Sequence, residues 1–102
     1  MNLTKQKRHQ SKKLTKSARG QDCLIRSPVC NGNSETTVLC HLNGGGIGTK
    51  KSDLFGAFGC SDCHSFVDGN HGDYSPHFVQ SLHYEGVFRT QQYFLDNDIV
   101  KI

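Results

Sequence analysis

The sequence predicts a small α+β domain stapled by a bound metal ion. Three observations lead there: two short apolar, β-prone segments flank a glycine-rich loop, helical patterns follow them, and two pairs of cysteines sit in turns around the strands. A chain of 102 residues holds one domain, and only 34% of it is hydrophobic, with no Trp and a mean hydropathy of −0.55. Apolar burial alone is thin support at that composition, so a cross-link is expected. Five cysteines supply the groups. Their odd number, and the lack of a charged-then-apolar leader pattern at Met1, predict reduced thiols in a soluble, cytoplasmic protein rather than a disulfide framework. No apolar run approaches the ~18 residues of a membrane span.

Residues 1–19 carry seven cations, among them Lys12, Lys13, Lys16 and Arg19, and no acid. Residues 20–102 carry five basic and nine acidic side chains, so the net charge of +3 divides into a basic segment and a mildly acidic domain. The expected organisation is a flexible arm over 1–19 and one folded domain over 20–102. Without apolar periodicity such an arm fits either a phosphate-neutralising extension or a solvated, solubilising tail.

"CLIRSPVC" (23–30), broken by Pro28, reads as a tight loop that brings two thiols together, and "NGNSE" as a turn. "TTVLCH" (36–41) is a β-branched strand, "LNGGGIGTKKSD" a long loop, and "LFGAFGC" (54–60) a second strand weakened by Gly56 and Gly59. A helix then starts in "SDCHSFVD", with Ser61 as its cap. Ser75 and Pro76 form an N-cap and first-turn pair that opens a helix to about Leu95, with Val79, Leu82, Phe88, Tyr93 and Phe94 for the core and Gly86 as a weak point.

A hairpin between them allows Cys23 and Cys30 to meet Cys60 and Cys63. Four thiolates suit structural Zn²⁺ and leave no open position. A redox role for Cys60 and Cys63 lacks the βαβ context it needs. Cys40 is left over, either as a small buried hydrophobe or as an extra ligand.

With those cysteines assigned, His41 falls at a strand end, Asp53 before the second strand, and His64 and Asp68 four apart on one helix face. Metal-dependent phosphodiester cleavage needs such a set: a free imidazole to take a proton from water, a group to orient it, and ligands for a divalent ion. The same spacing is also met by an ordinary satisfied histidine and an ordinary helix turn. The loop lysines Lys50 and Lys51 suit either a nucleic-acid clamp or plain solvation; because Thr49 precedes Lys50, the phosphate-loop pattern fails and no nucleotide cofactor is expected.

"VLCHL…SDLFGAFGCSDCHSFVD" resembles the HNH, or ββα-metal, nuclease motif on a zinc-bound treble clef, and the chain is similar to the small prophage-encoded YbcO-like nucleases. The resemblance implies a treble-clef domain with a ββα-metal core and a C-terminal helix, acting as a metal-dependent DNA endonuclease. It implies His41 as general base, Asp53 in the place usually held by Asn, His64 and Asp68 as ligands of the catalytic ion, and structural zinc on Cys23, Cys30, Cys60 and Cys63. Cys40 stands where many members bind that ion with Asp or His. A thiolate is a poor ligand for Mg²⁺, so the expected ion is Zn²⁺, Mn²⁺ or Ni²⁺, or else one, Mg²⁺ included, held weakly by His64, Asp68 and the substrate phosphate. The contrasting expectation is a zinc-stabilised nucleic-acid binding module without cleavage.

Overall fold

The computed structural model describes residues 7–43 and 50–102. The glycines of the long loop, at positions 44–49, lie outside the described residues; Lys50 and Lys51 lie within them. The observed order is α1 (Lys12–Ser17), β1 (Val38–His41), β2 (Gly56–Gly59), α2 (Ser61–Val67) and α3 (Pro76–Asp96), with 3₁₀ turns at Ser34–Thr36 and Asp53–Phe55. This is the expected small α+β arrangement, a two-stranded sheet with a C-terminal helix.

The strands pair antiparallel, Leu39 opposite Phe58, Cys40 opposite Ala57 and His41 opposite Gly56. Because strand side chains alternate, the ribbon feeds two small cores. One face puts Cys40 and Ala57 against Ile25, Phe66, Val67, Val79 and Val87. The other puts Leu39 and Phe58 against Leu14, Ala18 and Phe94. His41 shares the parity of Leu39 and so belongs to the side where α1 lies.

An isolated hairpin is marginal, and here the outer edge of β2 is covered. The Phe58 amide donates to Thr90 Oγ1 on α3 at 2.9 Å, and the Phe58 carbonyl accepts from the Leu24 amide at 2.7 Å. Helix α3 approaches β2 so closely that a Cβ on Gly86 would lie 3.0 Å from both Ala57 Cβ and Ile25 Cγ1. Gly86 is therefore a contact point and not merely a weak place in the helix.

Helix α3 begins as expected, with Ser75 Oγ accepting from the Phe78 amide. Its inward face differs in part: Val79 and Phe94 are buried, joined by Val87 and Thr90, but Phe88 is 66% exposed. The cap of α2 is Cys60, whose sulfur accepts from the Cys63 amide, and not Ser61.

The flexible arm expected over 1–19 needs correction in its described part. Residues 12–17 are helical, Ser11 Oγ caps Leu14, and Leu14 and Ala18 are buried against Leu39, Phe58 and Phe94. Two apolar residues four apart show no periodicity in sequence, yet they suffice where the sheet offers a hollow to receive them.

Candidate active site and metal centre

The 23–30 loop is shaped by its backbone: Arg26 adopts φ 56°, which tightens the turn after Cys23, and Gly32 adopts φ 69° just after Cys30. The turn sets Cys23 and Cys30 beside Cys60 and Cys63 at the start of α2, and the four sulfurs lie within 4.8 Å of one another. No cysteine is in a disulfide, and the Cys30 and Cys60 sulfurs are 3.9 Å apart, far beyond bonding distance. Tetrahedral Zn–S bonds of about 2.3 Å put sulfurs about 3.8 Å apart, so the cluster fits a metal such as zinc.

Donors already surround these sulfurs. Cys60 Sγ accepts from the amides of Asn31 and Cys63 at 3.4 Å each, and Ser27 Oγ lies 3.0 Å from Cys63 Sγ. Without metal, the bond with Cys63 lowers the Cys23 thiol to about 4, partly opposed by burial, while the same bond and burial push Cys63 up. Sulfurs crowded in this way favour a dication among them. Cys40 stands apart, fully buried on the Ala57 face, and burial pushes its thiol up. It is the small buried hydrophobe of the two alternatives.

His41 and Asp53 meet. His41 Nε2 lies 2.6 Å from Asp53 Oδ1, with the His side chain 18% and the Asp side chain 4% exposed. Asp53 opens the 3₁₀ turn that leads into β2, and its other oxygen accepts from the Ser11 amide and from Thr15 Oγ1 at 3.4 Å. Burial alone would raise the Asp53 carboxyl, but the bonds from Ser11, His41 and Thr15 outweigh it and hold it below its ordinary value. An ionised carboxylate only accepts, so His41 Nε2 must donate. In the neutral imidazole the lone pair is then on Nδ1.

The dyad lines a cavity of about 670 Å³ together with Arg8, Lys12, Thr15 and Lys16. Lys13 and Arg19 are exposed and lie outside that lining. The segment from 8 to 11 is held in place by the loop before β2: Asp53 N–H donates to the His9 carbonyl at 2.9 Å, His9 N–H to Ser52 Oγ at 2.7 Å, and Arg8 Nε to the Lys51 carbonyl at 3.3 Å.

His64 and Asp68 also pair, one turn apart on α2, with His64 Nε2 3.2 Å from Asp68 Oδ2. Lys50 Nζ holds the other oxygen of Asp68 at 3.2 Å and bonds Asn43 at 2.7 Å. Among the described residues the four cysteines are the one group of three or more clustered metal ligands, and no hydrogen bond joins the His41–Asp53 pair to the His64–Asp68 pair. Lys51 and Asp68 line a second cavity of about 380 Å³ with His71 and His83.

Sequence reasoning missed two contributors. His83 is buried and donates Nε2–H to the Cys40 carbonyl at 2.8 Å, bracing the peptide just before His41; burial keeps this imidazole lowered, hence neutral. Its spacing within the helix carried no signal beyond alignment with Val79 and Val87. The second is α1, whose Ser11 and Thr15 reach Asp53.

The profile of the family described as "Putative nuclease YbcO" matches residues 12–99. A curated relative, "Putative nuclease YbcO" of Escherichia coli (strain K12), is 39% identical, covering 86% of this chain and 96% of its own length; "Putative nuclease ybcO" of Enterobacteria phage 82 gives the same figures. The solved "Structure of a putative bacteriophage protein from Escherichia coli str. K-12 substr. MG1655" superposes with a TM-score of 0.71 at 36% identity, covering 83% of this chain and 99% of that one. A zinc-compatible α+β domain with a polar dyad at the hairpin end is the class of molecule seen here, and the chain belongs to the YbcO family, described as "Putative nuclease YbcO". Among the described residues no helix is long and apolar enough to cross a membrane.

Proposed function

We propose that this protein is a metal-dependent endonuclease that hydrolyses phosphodiester bonds in DNA, with a zinc-stapled treble clef and an HNH-like ββα-metal core. The observation that carries the reading is the 2.6 Å His41–Asp53 contact opening into a cavity edged by Arg8, Lys12 and Lys16. His41 Nδ1 takes a proton from water as the water oxygen bonds to phosphorus; the bond to the 3′ oxygen breaks, and that oxygen is reprotonated from solvent. Asp53 fixes the tautomer and stabilises the imidazolium that forms. His64 and Asp68 offer a nitrogen and an oxygen to a divalent ion, Mg²⁺, Mn²⁺, Ni²⁺ or Zn²⁺, which when bound supplies charge to the phosphate and the leaving oxygen. Lys13, Arg19, Lys50 and Lys51 add sequence-independent attraction to the backbone. The relatives' names support a phage or prophage origin and a nucleic-acid substrate, which in this reading is DNA in the cytoplasm.

A second reading, a zinc-stabilised nucleic-acid binding module, is favoured by one observation. Asp68 is already engaged by both His64 and Lys50, which competes with an ion.

A plasmid-nicking assay with each of the four ions separates the two. The nuclease reading expects cleavage that His41→Ala reduces by about 10² to 10⁴, with DNA binding retained. No cleavage with any ion leaves the binding module, and parental cleavage by His41→Ala removes His41 as the base.

A further inference from the structure

We infer that Arg8, Lys12 and Lys16 form a phosphate clasp built onto the His41–Asp53 dyad, so that the basic segment is part of the site and not a detachable affinity arm. Its ligand is a backbone phosphodiester of the strand lying against His41; the consequence for cleavage rests on the nuclease reading above, the anion site itself does not.

Helical spacing puts Lys12 and Lys16 on one face, and Arg8, one turn earlier in sequence, lines the same cavity. The neighbouring face of α1 carries Ser11 and Thr15, whose groups hold Asp53. Leu14 and Ala18, buried in the Leu39–Phe58–Phe94 hollow, fix how the helix is turned. Cations on an anchored helix differ from cations on a tail, because their positions relative to His41 are set by the fold.

All nine acids of the chain lie among the described residues, and neither Lys12 nor Lys16 forms an ion pair there. The only carboxylate lining the cavity is Asp53, already bonded to Ser11, His41 and Thr15. Three cations thus face a volume of about 670 Å³ whose single acid is already occupied by hydrogen bonds from Ser11, His41 and Thr15, leaving a net positive charge. Such a site favours an anion of phosphate size and hydrogen-bonding capacity. Lys13 and Arg19, outside the lining, serve only long-range attraction.

The test uses zinc-loaded full-length protein and follows the His41 ring resonances by NMR while inorganic phosphate is added at constant pH and ionic strength, with chloride as the reference salt. Phosphate should shift the His41 signals saturably and chloride should not. Lys12→Ala/Lys16→Ala should weaken that response about tenfold or more, since charge-assisted contacts are lost, while Lys101→Ala leaves it unchanged. In single-turnover cleavage at saturating protein the double variant should be slower, not merely weaker in binding. Unmoved His41 signals in phosphate, or a double variant responding like the parent, would overturn the clasp. A parent that binds phosphate but cuts nothing would leave the clasp standing and remove the nuclease reading instead.

Discussion

Replacing Asp53 by Asn changes one oxygen for an amide and should affect chemistry far more than folding. The carboxylate serves three donors: His41 Nε2–H on Oδ1, and the Ser11 amide and Thr15 hydroxyl on Oδ2. An amide has one acceptor oxygen. If that oxygen stays on Ser11 and Thr15, the new NH₂ faces His41 Nε2, which must become an acceptor, and the ring proton moves to Nδ1. The basic lone pair is then the one already bonded to the substituted side chain's NH₂, so the base is lost without moving an atom far. A wrong-tautomer histidine costs about 10⁴ in rate in the serine-protease case, and a similar scale, about 10² to 10⁴, is expected for nicking here. The fold should lose only about 1–3 kcal/mol, the difference between charged and neutral hydrogen bonds. That stability difference has a pH signature. Asp53 is held below its unfolded value, so its contribution is full above pH ~4 and vanishes as pH falls through the folded value. Parent and variant should therefore converge in stability at acid pH and separate above it. The assays are plasmid nicking, denaturant unfolding across pH, and ¹⁵N shifts of the His41 ring. Parental nicking together with an unchanged Nε2–H tautomer in the variant would refute the dyad.

Purified protein should carry about one tightly bound zinc per chain; a chelator, or Cys60→Ser, should unfold it, as read by far-UV circular dichroism and metal analysis, because metal affinity is folding energy in so small a core. Leu14→Ala should cost about 2–5 kcal/mol in denaturant unfolding and should also weaken cleavage by loosening Ser11 and Thr15 from Asp53; an unaffected midpoint would return residues 12–17 to a free arm. Gly86→Ala gains about 1 kcal/mol of helix propensity but presses its Cβ to 3.2 Å from the Ile25 Cα, a backbone atom that cannot swing away, so a net loss of stability of up to about 2 kcal/mol is expected; a raised melting temperature would contradict the close α3–β2 packing.

The elements most legible in the sequence were those set by local chemistry. Ser75 and Pro76 start a helix because capping and a fixed φ are properties of two adjacent residues, and that helix runs to Asp96, one residue past the expected end. The Cys-x-x-Cys beside His64 and Asp68 carries its geometry in its spacing, and the four cysteines do converge. Less legible were positions whose value depends on a distant surface. Phe88 is apolar but lies on the helix face opposite Val79 and is exposed, whereas Gly86, read as a weakness, is where α3 meets β2. Residues 1–19 read as a uniform cationic stretch because charge count has no direction, and two apolar residues do not make a pattern.

By itself the sequence determined the small α+β class of fold and the four thiols that converge, since capping, strand alternation and ligand spacing act over a few bonds. Only the tertiary structure decided which cations line the cavity of His41 and Asp53. Leu14 and Ala18 find their hollow in Leu39, Phe58 and Phe94, residues 21 to 80 positions away in the chain, and that burial turns α1 so that Ser11 and Thr15 hold Asp53 while Lys12 and Lys16 face His41's cavity. No short-range rule encodes such a meeting, because its free energy comes from surfaces that exist only once the hairpin has folded.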